Sequence, residues 1–503
     1  MVLLRKHVPS LAAGLVALAA LALYALTVAP GLTLAHGGTD GAELAVAVHT
    51  RGVPHPSGYP TYVLLAQVFR ALPWGDLAGR LNLFSTLAAA LAAGTLALAA
   101  AGLSPGEEGH LPAVVAALTA GLSLAVSGLF WSQALITEVY ALHTLFITVV
   151  LWLLLRWRQR RGSGLLLAGL ALGLGLGNHL SLLFMLPGMI LFLWLSRRRL
   201  RGRDIGLAGG LFLAGLTVYL YLPLRAAADP WLNWGDPRDW TNFWTHVSGE
   251  AYQGLLFRVP WPQVAQRLAA AAGFLLRDMA PWGVLLGLGG AFVLGRRDRP
   301  CLLLTALPAG LGLLLALSYG GADSHVHLLP LYLTGTLWAG VAAGTLTAAL
   351  GRRLGKKAAW VALLLPLLSL VLAVWYGPTW SLRADPGPLP RYEVLWTTLP
   401  DQALLLSDRD EHTFPLWYAQ QVEGERLDLA VVDVRLLEWT WYRRQLPRRC
   451  PDLAVPAEGA EEWGLAGLLE ANPSRPAYTL DPLALPPGYH LRREGPLYRV
   501  MPP

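Results

Sequence analysis

Charge is scarce in this chain: only 14% of its 503 residues are Asp, Glu, Lys or Arg, where a soluble globular domain carries about 25%. So little polar surface excludes an ordinary water-soluble globule. Cysteine is scarcer still. Its two residues, Cys301 at the start of an apolar run and Cys450 in a polar C-terminal stretch, fall in segments assigned below to opposite sides of a membrane. Neither an intramolecular disulfide nor a cysteine metal cluster is therefore expected. The formal net charge of +7 is not gathered into a basic face; much of the arginine sits in short clusters at the ends of apolar runs. That distribution marks membrane orientation and argues against nucleic acid as a partner. A convincing internal repeat is lacking, and so is a nucleotide fingerprint. Gly173, Gly175 and Gly177 alternate inside an apolar span with no strand before them, where close helix packing accounts for them better.

What the chain has in abundance is apolar sequence, 54% of all residues. A bilayer-crossing helix needs roughly 20 apolar residues, and the runs predict eleven crossings, near 8–29, 79–102, 111–129, 138–155, 164–178, 180–196, 205–223, 279–295, 301–318, 328–350 and 358–376. The first, preceded by Arg5 and Lys6, is longer than the apolar core of a signal peptide and reads as a retained span. Basic clusters at Arg5/Lys6, Arg156 to Arg161, Arg197 to Arg203, Arg296 to Arg299 and Arg352 to Lys357 then share one face, which the positive-inside rule makes cytoplasmic. The turn Ser104 to His110 departs from the pattern with Glu107 and Glu108, although acids weigh little in this rule.

Past Pro378 the composition turns to mixed charge and proline, which predicts a membrane domain over 1–377 and an extracytoplasmic soluble α/β domain over 378–503. Ala403 to Ser407 and Asp428 to Val432 read as buried strands, followed by helical segments Glu411 to Val422 and Leu436 to Leu446. Asp408, Asp410 and Asp433 lie just past the strand ends, where open α/β sheets bind ligands and where caps and turns also use acids.

The most polar stretch beside the membrane runs from Pro30 to Tyr62, between the first two crossings, and holds two acids, three histidines and an arginine. Ionisable groups at membrane depth are costly, so a cluster of them is a candidate site. Asp40 and Glu43 stand one helical turn apart ahead of the apolar Leu44 to Val48, which puts both carboxylates on one helix face. Thr39 or Asp40 capping a helix with Glu43 nearby explains the same spacing. Gly37, Gly38 and Gly41 allow close approach to the backbone. His55-Pro56-Ser57-Gly58-Tyr59-Pro60 forms a stiff turn carrying an imidazole and a phenol.

The segment GTDGAELAVAVHTRGVPHPSGYPTYVLLAQVF, followed in order by AGRLNLFSTLAAAL, TEVYALHTLF, GNHLSLLFMLPG, YLPLRAAADPWLNWGDP and FPLWYAQQVEG, resembles a large bacterial family of multi-spanning proteins formerly of unknown function. An animal relative in that family is a membrane protein O-mannosyltransferase. The resemblance implies a mainly α membrane protein with a GT-C-like fold and GT-C glycosyltransferase activity, taking sugar from a polyprenyl-phosphate carrier on the extracytoplasmic side. It also implies an essential acid in the first extracytoplasmic loop, at the position of Asp40, with Glu43 as its neighbour.

The remaining roles follow from chemistry. A base must take the acceptor proton, and the leaving phosphate needs cations or hydrogen-bond donors. Arg225, His55, Tyr59 and His179 are the candidates for the phosphate, Arg225 preferred because guanidinium matches phosphate geometry; snorkelling at the interface explains Arg225 equally well. Glu138, Trp234 and Asp236 are the candidates for acceptor or sugar, although a helix start accounts for Glu138 and an interfacial aromatic belt for most tryptophans of the loop. Asp323, His325 and His327 alternate as metal ligands can but lack a further ligand in register, so a divalent metal stays open. The expected function is transfer of a sugar, with mannose as the example the resemblance offers, to a protein or glycan hydroxyl. The rival readings are a lipid-carrier flippase or transporter, which would gather its polar groups near the midplane, and a non-catalytic glycan-binding assembly factor.

Overall fold

Apolar runs that must satisfy their own backbone in lipid become helices, and all eleven expected crossings are helical. The computed structural model describes residues 2–105, 110–160, 162–456 and 463–503; Glu107, Glu108 and Arg161 lie outside them. Among the described residues, eight helices are long and apolar enough to cross a membrane, or nine if one bent pair is a single span. The expected eleven is not confirmed, for two reasons. The 111–129 run breaks at Val126 and Ser127 into Leu111–Ala125 and Gly128–Ala134, inclined by 68°. The fifth and sixth runs are separated at Asn178 and His179 and form the shorter helices Gly164–Leu176 and Leu180–Leu195.

The chain divides into two compact units, the first built from Met1–Val28, Asn82–Tyr219 and Tyr252–Arg383. This helical unit is held by close backbone approach at small residues, as lipid offers no hydrophobic drive between helices. Gly290 lies against the Trp338 carbonyl, Gly340 against Ala116 and Ala120, and Gly173 faces Gly215. The Tyr24 hydroxyl donates to the Ala125 carbonyl at 2.8 Å, tying the first helix to the end of the Leu111–Ala125 helix. Buried Asp278 accepts from the Tyr332 hydroxyl at 3.0 Å and from the Leu129 N–H at 3.2 Å. The second contact satisfies a donor in the first turn of the Gly128–Ala134 helix.

The second unit joins Ala29–Leu81, Leu220–Ala251 and Ala384–Pro503. Its sheet consists of β1 (Leu404–Ser407), β2 (Ala430–Asp433), β3 (Ala477–Thr479), β4 (His490–Glu494) and β5 (Leu497–Met501), in the order β2-β1-β3-β5-β4. β1 runs parallel to β2 and β3, while β5 pairs antiparallel with β3 and β4. The tail thus shares a compact unit with the first loop and with 220–251, whereas residues 378–383 group with the helices. The reason lies in the Asp410–Gln421 helix. Nine of its residues, His412 through Gln420, are buried, and it packs on the sheet and on the Asp40–Thr50 helix. The loop 52–53 adds a short parallel bridge, Val53 to Asn233, and the Gln445 amide donates to the Asn233 carbonyl at 2.5 Å.

Candidate functional site

The Asp40–Thr50 helix opens with Thr39 at its N-cap and no side-chain cap there. Its two acids are therefore not spent on a capping box. The helix is buried from Gly41 to Val48, so Glu43 points inward and Asp40, one turn earlier, sits at the rim. Their exposures separate them: the Asp40 side chain is 41% accessible and that of Glu43 0%.

Glu43 holds His55 at two points. One oxygen accepts from the His55 backbone N–H at 2.9 Å and the other lies 3.0 Å from Nδ1. The far side of the imidazole faces outward, with Nε2 2.9 Å from the Tyr59 hydroxyl and 3.6 Å from the Asp40 carboxylate. Local sequence builds this turn. Gly58 adopts φ +87° and Tyr59 φ +39°, after which Pro60 starts the Pro60–Arg70 helix at a position suited to its fixed φ. Trp234 closes one side, its ring 6.3 Å from that of His55 and 5.1 Å from Trp441.

Two residues that carried no local signal complete the surroundings. His246, in the Trp240–Val247 helix, is 1% exposed. Burial, reinforced by neighbouring His55, pushes it down to about 3, with the Pro54 carbonyl acting the other way; it is a neutral imidazole at ordinary pH. Arg449 ends the Thr440–Arg449 helix with its guanidinium 4.5 Å from the Trp231 ring, 4.7 Å from Trp417 and 5.3 Å from Tyr442. Its Nε donates to the Trp231 carbonyl at 3.1 Å, and both Nη groups are buried. Burial lowers its pKa from the guanidinium value, and Glu43 is among the groups that oppose this. An arginine caged by rings rather than by a carboxylate supplies positive potential behind Glu43.

The other expected residues divide. Asp236 anchors its own loop, accepting from Asn233 at 3.0 Å and pairing with Arg238 at 2.8 Å. Asp433 is sealed, with Thr413 at 3.0 Å and Arg435 at 2.7 Å, and Arg435 reaches Asp410 too; these acids hold the sheet edge. Arg225 does not join Asp40. Its Nε donates to the Arg51 carbonyl at 2.7 Å, at the opposite end of the Asp40–Thr50 helix, which at 1.5 Å per residue lies ~16 Å away.

His179 and Glu138 belong to the helical unit. Ser181 Oγ stands 2.8 Å from His179 Nδ1 and 3.0 Å from His143 Nε2, and the His143 and His327 rings lie 5.1 and 6.1 Å from that of His179. The Tyr140 hydroxyl donates to Asp323 at 3.0 Å. Tyr140, His143, Ser181 and His327 line a small cavity of about 10 Å³. Among the described residues no set of three or more His, Cys, Asp or Glu is arranged to hold a metal ion; His179 and His143 are joined through Ser181, and the His327 ring packs beside that of His179. The Thr137 hydroxyl donates to Asn82 at 2.7 Å. Glu138 itself is buried, with a carboxylate oxygen 3.3 Å from the Val139 N–H.

Comparison with known proteins adds two domain matches, a relative and a similar fold. Residues 40–201 match the model of the protein O-mannosyl-transferase TMEM260 N-terminal domain, and residues 392–458 match TMEM260-associated domain 2. The chain is 26% identical over 465 residues to the mouse (Mus musculus) protein O-mannosyl-transferase TMEM260, covering 84% of this chain and 63% of the mouse protein. It therefore spans less than two thirds of that relative's length. The fold is similar to that of ArnT from Cupriavidus metallidurans, solved bound to undecaprenyl phosphate, with a TM-score of 0.62, 13% identity and 97% of both chains covered. It is also similar to the Archaeoglobus fulgidus oligosaccharyltransferase, solved with a tethered acceptor peptide, with a TM-score of 0.52, 11% identity and coverage of 95% of this chain and 69% of that one.

Proposed function

From the premise that this chain carries both TMEM260 domains on a GT-C glycosyltransferase fold, we propose that it transfers a sugar, mannose in the first instance, from a polyprenyl-phosphate carrier to a protein or glycan hydroxyl on the extracytoplasmic side of the membrane. The relative's name supports the sugar and the reaction. The undecaprenyl phosphate bound by a protein of like fold supports the carrier. His179, with Ser181 and His143, offers the helical unit's hydrogen-bonding groups for an anionic headgroup. Buried Glu138 is one of that unit's acids, and we assign it to orienting a hydroxyl.

One observation carries the assignment of the base: of the paired acids, Asp40 is the accessible one, while Glu43 is closed off behind His55. Asp40 accepts the proton of the acceptor hydroxyl as its oxygen attacks the anomeric carbon. The carbon–oxygen bond to the carrier phosphate breaks on the opposite face, and the bonding pair leaves with the phosphate. General-base assistance of this kind is worth roughly 10² to 10⁴ in rate. The test is transfer of mannose from a polyprenyl-phosphate donor by the purified protein in proteoliposomes. Asp40→Asn should lose about a hundredfold in turnover with an unchanged melting temperature; parental turnover in that variant would remove Asp40 as the base.

A further inference from the structure

The hydrogen bonds around His55 fit two protonation states equally well. In the neutral state Nδ1–H donates to Glu43 at 3.0 Å and Nε2 accepts from the Tyr59 hydroxyl at 2.9 Å. In the charged state Nε2–H donates to the Tyr59 oxygen, and the hydroxyl turns to the Pro56 carbonyl, 3.2 Å away. Neither state leaves a polar atom of the imidazole or the phenol without a partner. Most buried histidines are built for one state, because a buried donor or acceptor left unpaired costs about 1–3 kcal/mol. Here a single hydroxyl rotation removes that cost, and a fully buried carboxylate stands ready to neutralise the imidazolium.

We propose that His55 stores the proton released in glycosyl transfer, with Glu43 and Tyr59 as its positioning residues. The proposal rests on Asp40 being the base. The acceptor O–H proton passes first to the Asp40 carboxylate. Protonated Asp40 then gives it to His55 Nε2 across the present 3.6 Å gap, which closes to hydrogen-bond length by rotation of the rim carboxylate. Asp40 returns to its anionic form, ready for the next acceptor, and the imidazolium is paired with Glu43. The proton leaves to water by the same edge before the next turnover. No oxidant or further co-reactant enters the balance.

The groups that face His55 come from several elements. Glu43 and Asp40 approach from the Asp40–Thr50 helix, Tyr59 and Pro56 from its own turn, Trp234 from the 233–236 loop and His246 from the Trp240–Val247 helix. Arg449 acts on Glu43 from behind. His246 stays neutral down to about pH 3, so it supplies no protonic change in the working range.

The experiment is the pH dependence of turnover for the parent, Glu43→Gln, Tyr59→Phe and Asp40→Asn, with donor KM and melting temperature measured alongside. Glutamine keeps the oxygen that accepts from the His55 backbone but cannot stabilise an imidazolium. Glu43→Gln should therefore move the acid limb of turnover to lower pH by about one unit and lower the plateau about tenfold, with donor KM unchanged. Tyr59→Phe removes the partner of Nε2–H and should lower turnover about tenfold at constant donor KM. An acid limb that stays in place in Glu43→Gln, or parental turnover in Tyr59→Phe, overturns the proton store. The Asp40 reading fails separately, on parental turnover in Asp40→Asn; an inactive Asp40→Asn with an unmoved limb in Glu43→Gln defeats only the store.

Discussion

His246 Nε2 lies 3.0 Å from the point where a β-carbon on Gly58 would stand, and a methyl of Leu222 lies 2.8 Å from the same point. Gly58 also takes φ +87°. The turn that presents His55 and Tyr59 is thus pressed against the neutral imidazole behind it, and only glycine fits both the conformation and the space. We expect Gly58→Ala to destabilise the protein by about 1–3 kcal/mol and to cut transfer by disturbing His55. Gly75 serves as the comparison, since its φ is +61° with open space around it. Gly75→Ala should lose less stability and keep transfer. Equal unfolding midpoints for the two variants would mean that the contact with His246 costs nothing.

The neutrality of His246 gives the protein an acid limb of stability. Its folded-state pKa, pushed down to about 3 by burial first and by His55 second, lies below the unfolded value near 6.5. Between those values the unfolded chain binds a proton that the native one refuses, so stability falls as the pH drops below about 6.5 and the loss levels off below the folded value. Above about 6.5 this histidine contributes no slope. The slope from one such group is about 1.4 kcal/mol per pH unit. His246→Gln, which does not titrate, should flatten the decline of the melting temperature between pH 6 and 4, as followed by scanning fluorimetry at a series of pH values. An identical decline in parent and variant would assign the acid sensitivity elsewhere.

Much of this was legible in the sequence because membrane spans announce themselves by length and composition. The apolar runs, their arginine-rich ends and the β1 and β2 segments are local properties, and Asp40, Glu43, His55 and Tyr59 lie within one short stretch. What sequence could not carry is pairing across long separations. Trp234 and His246 approach His55 from a loop and a helix nearly two hundred residues on, and Arg449 stands behind Glu43 from the C-terminal tail. Neither His246 nor Arg449 sits in a pattern that distinguishes it from an ordinary surface residue. The division of labour between Asp40 and Glu43 was likewise hidden, because helical spacing puts both on one face and only burial separates them. β3 has only three residues, and β4 and β5 lack the continuous buried apolar run that marks β1 and β2.

The composition change near Pro378 suggests a tail able to fold alone, but the packing within its unit argues otherwise. The Asp410–Gln421 helix is covered by the Asp40–Thr50 helix, the Tyr418 hydroxyl accepts from the Ala78 N–H at 3.3 Å, and Gly387 lies against the Leu32 carbonyl. A fragment without residues 29–81 and 220–251 loses the Ala78 partner of Tyr418 and the Trp231 ring that lies 5.8 Å from Trp417, both side chains now being almost fully buried. We expect a fragment of residues 384–503 to retain some secondary structure by circular dichroism yet to unfold without a cooperative transition. A sharp melting transition in that fragment would show that the sheet is stable without its partners.

Arg225 offers the sharpest contrast between a role in chemistry and one in structure. Its Nε donates to the carbonyl of Arg51, the left-handed residue that ends the Asp40–Thr50 helix, and Tyr221 donates to the next carbonyl, that of Gly52, at 2.9 Å. Helix C-termini leave carbonyls without intrahelical donors, and a cation there also meets the negative end of the helix dipole. The residue is thus a brace for the helix that carries the acids. Lysine keeps the charge but lacks the fixed Nε–H, so Arg225→Lys should lose about 1 kcal/mol of stability while donor KM stays at the parental value. Arg225→Gln, losing charge and fork together, should lose more stability, again without a change in donor KM. If Arg225→Lys instead raises the KM for the polyprenyl-phosphate donor several-fold at an unchanged melting temperature, the guanidinium binds the carrier phosphate and the brace is incidental.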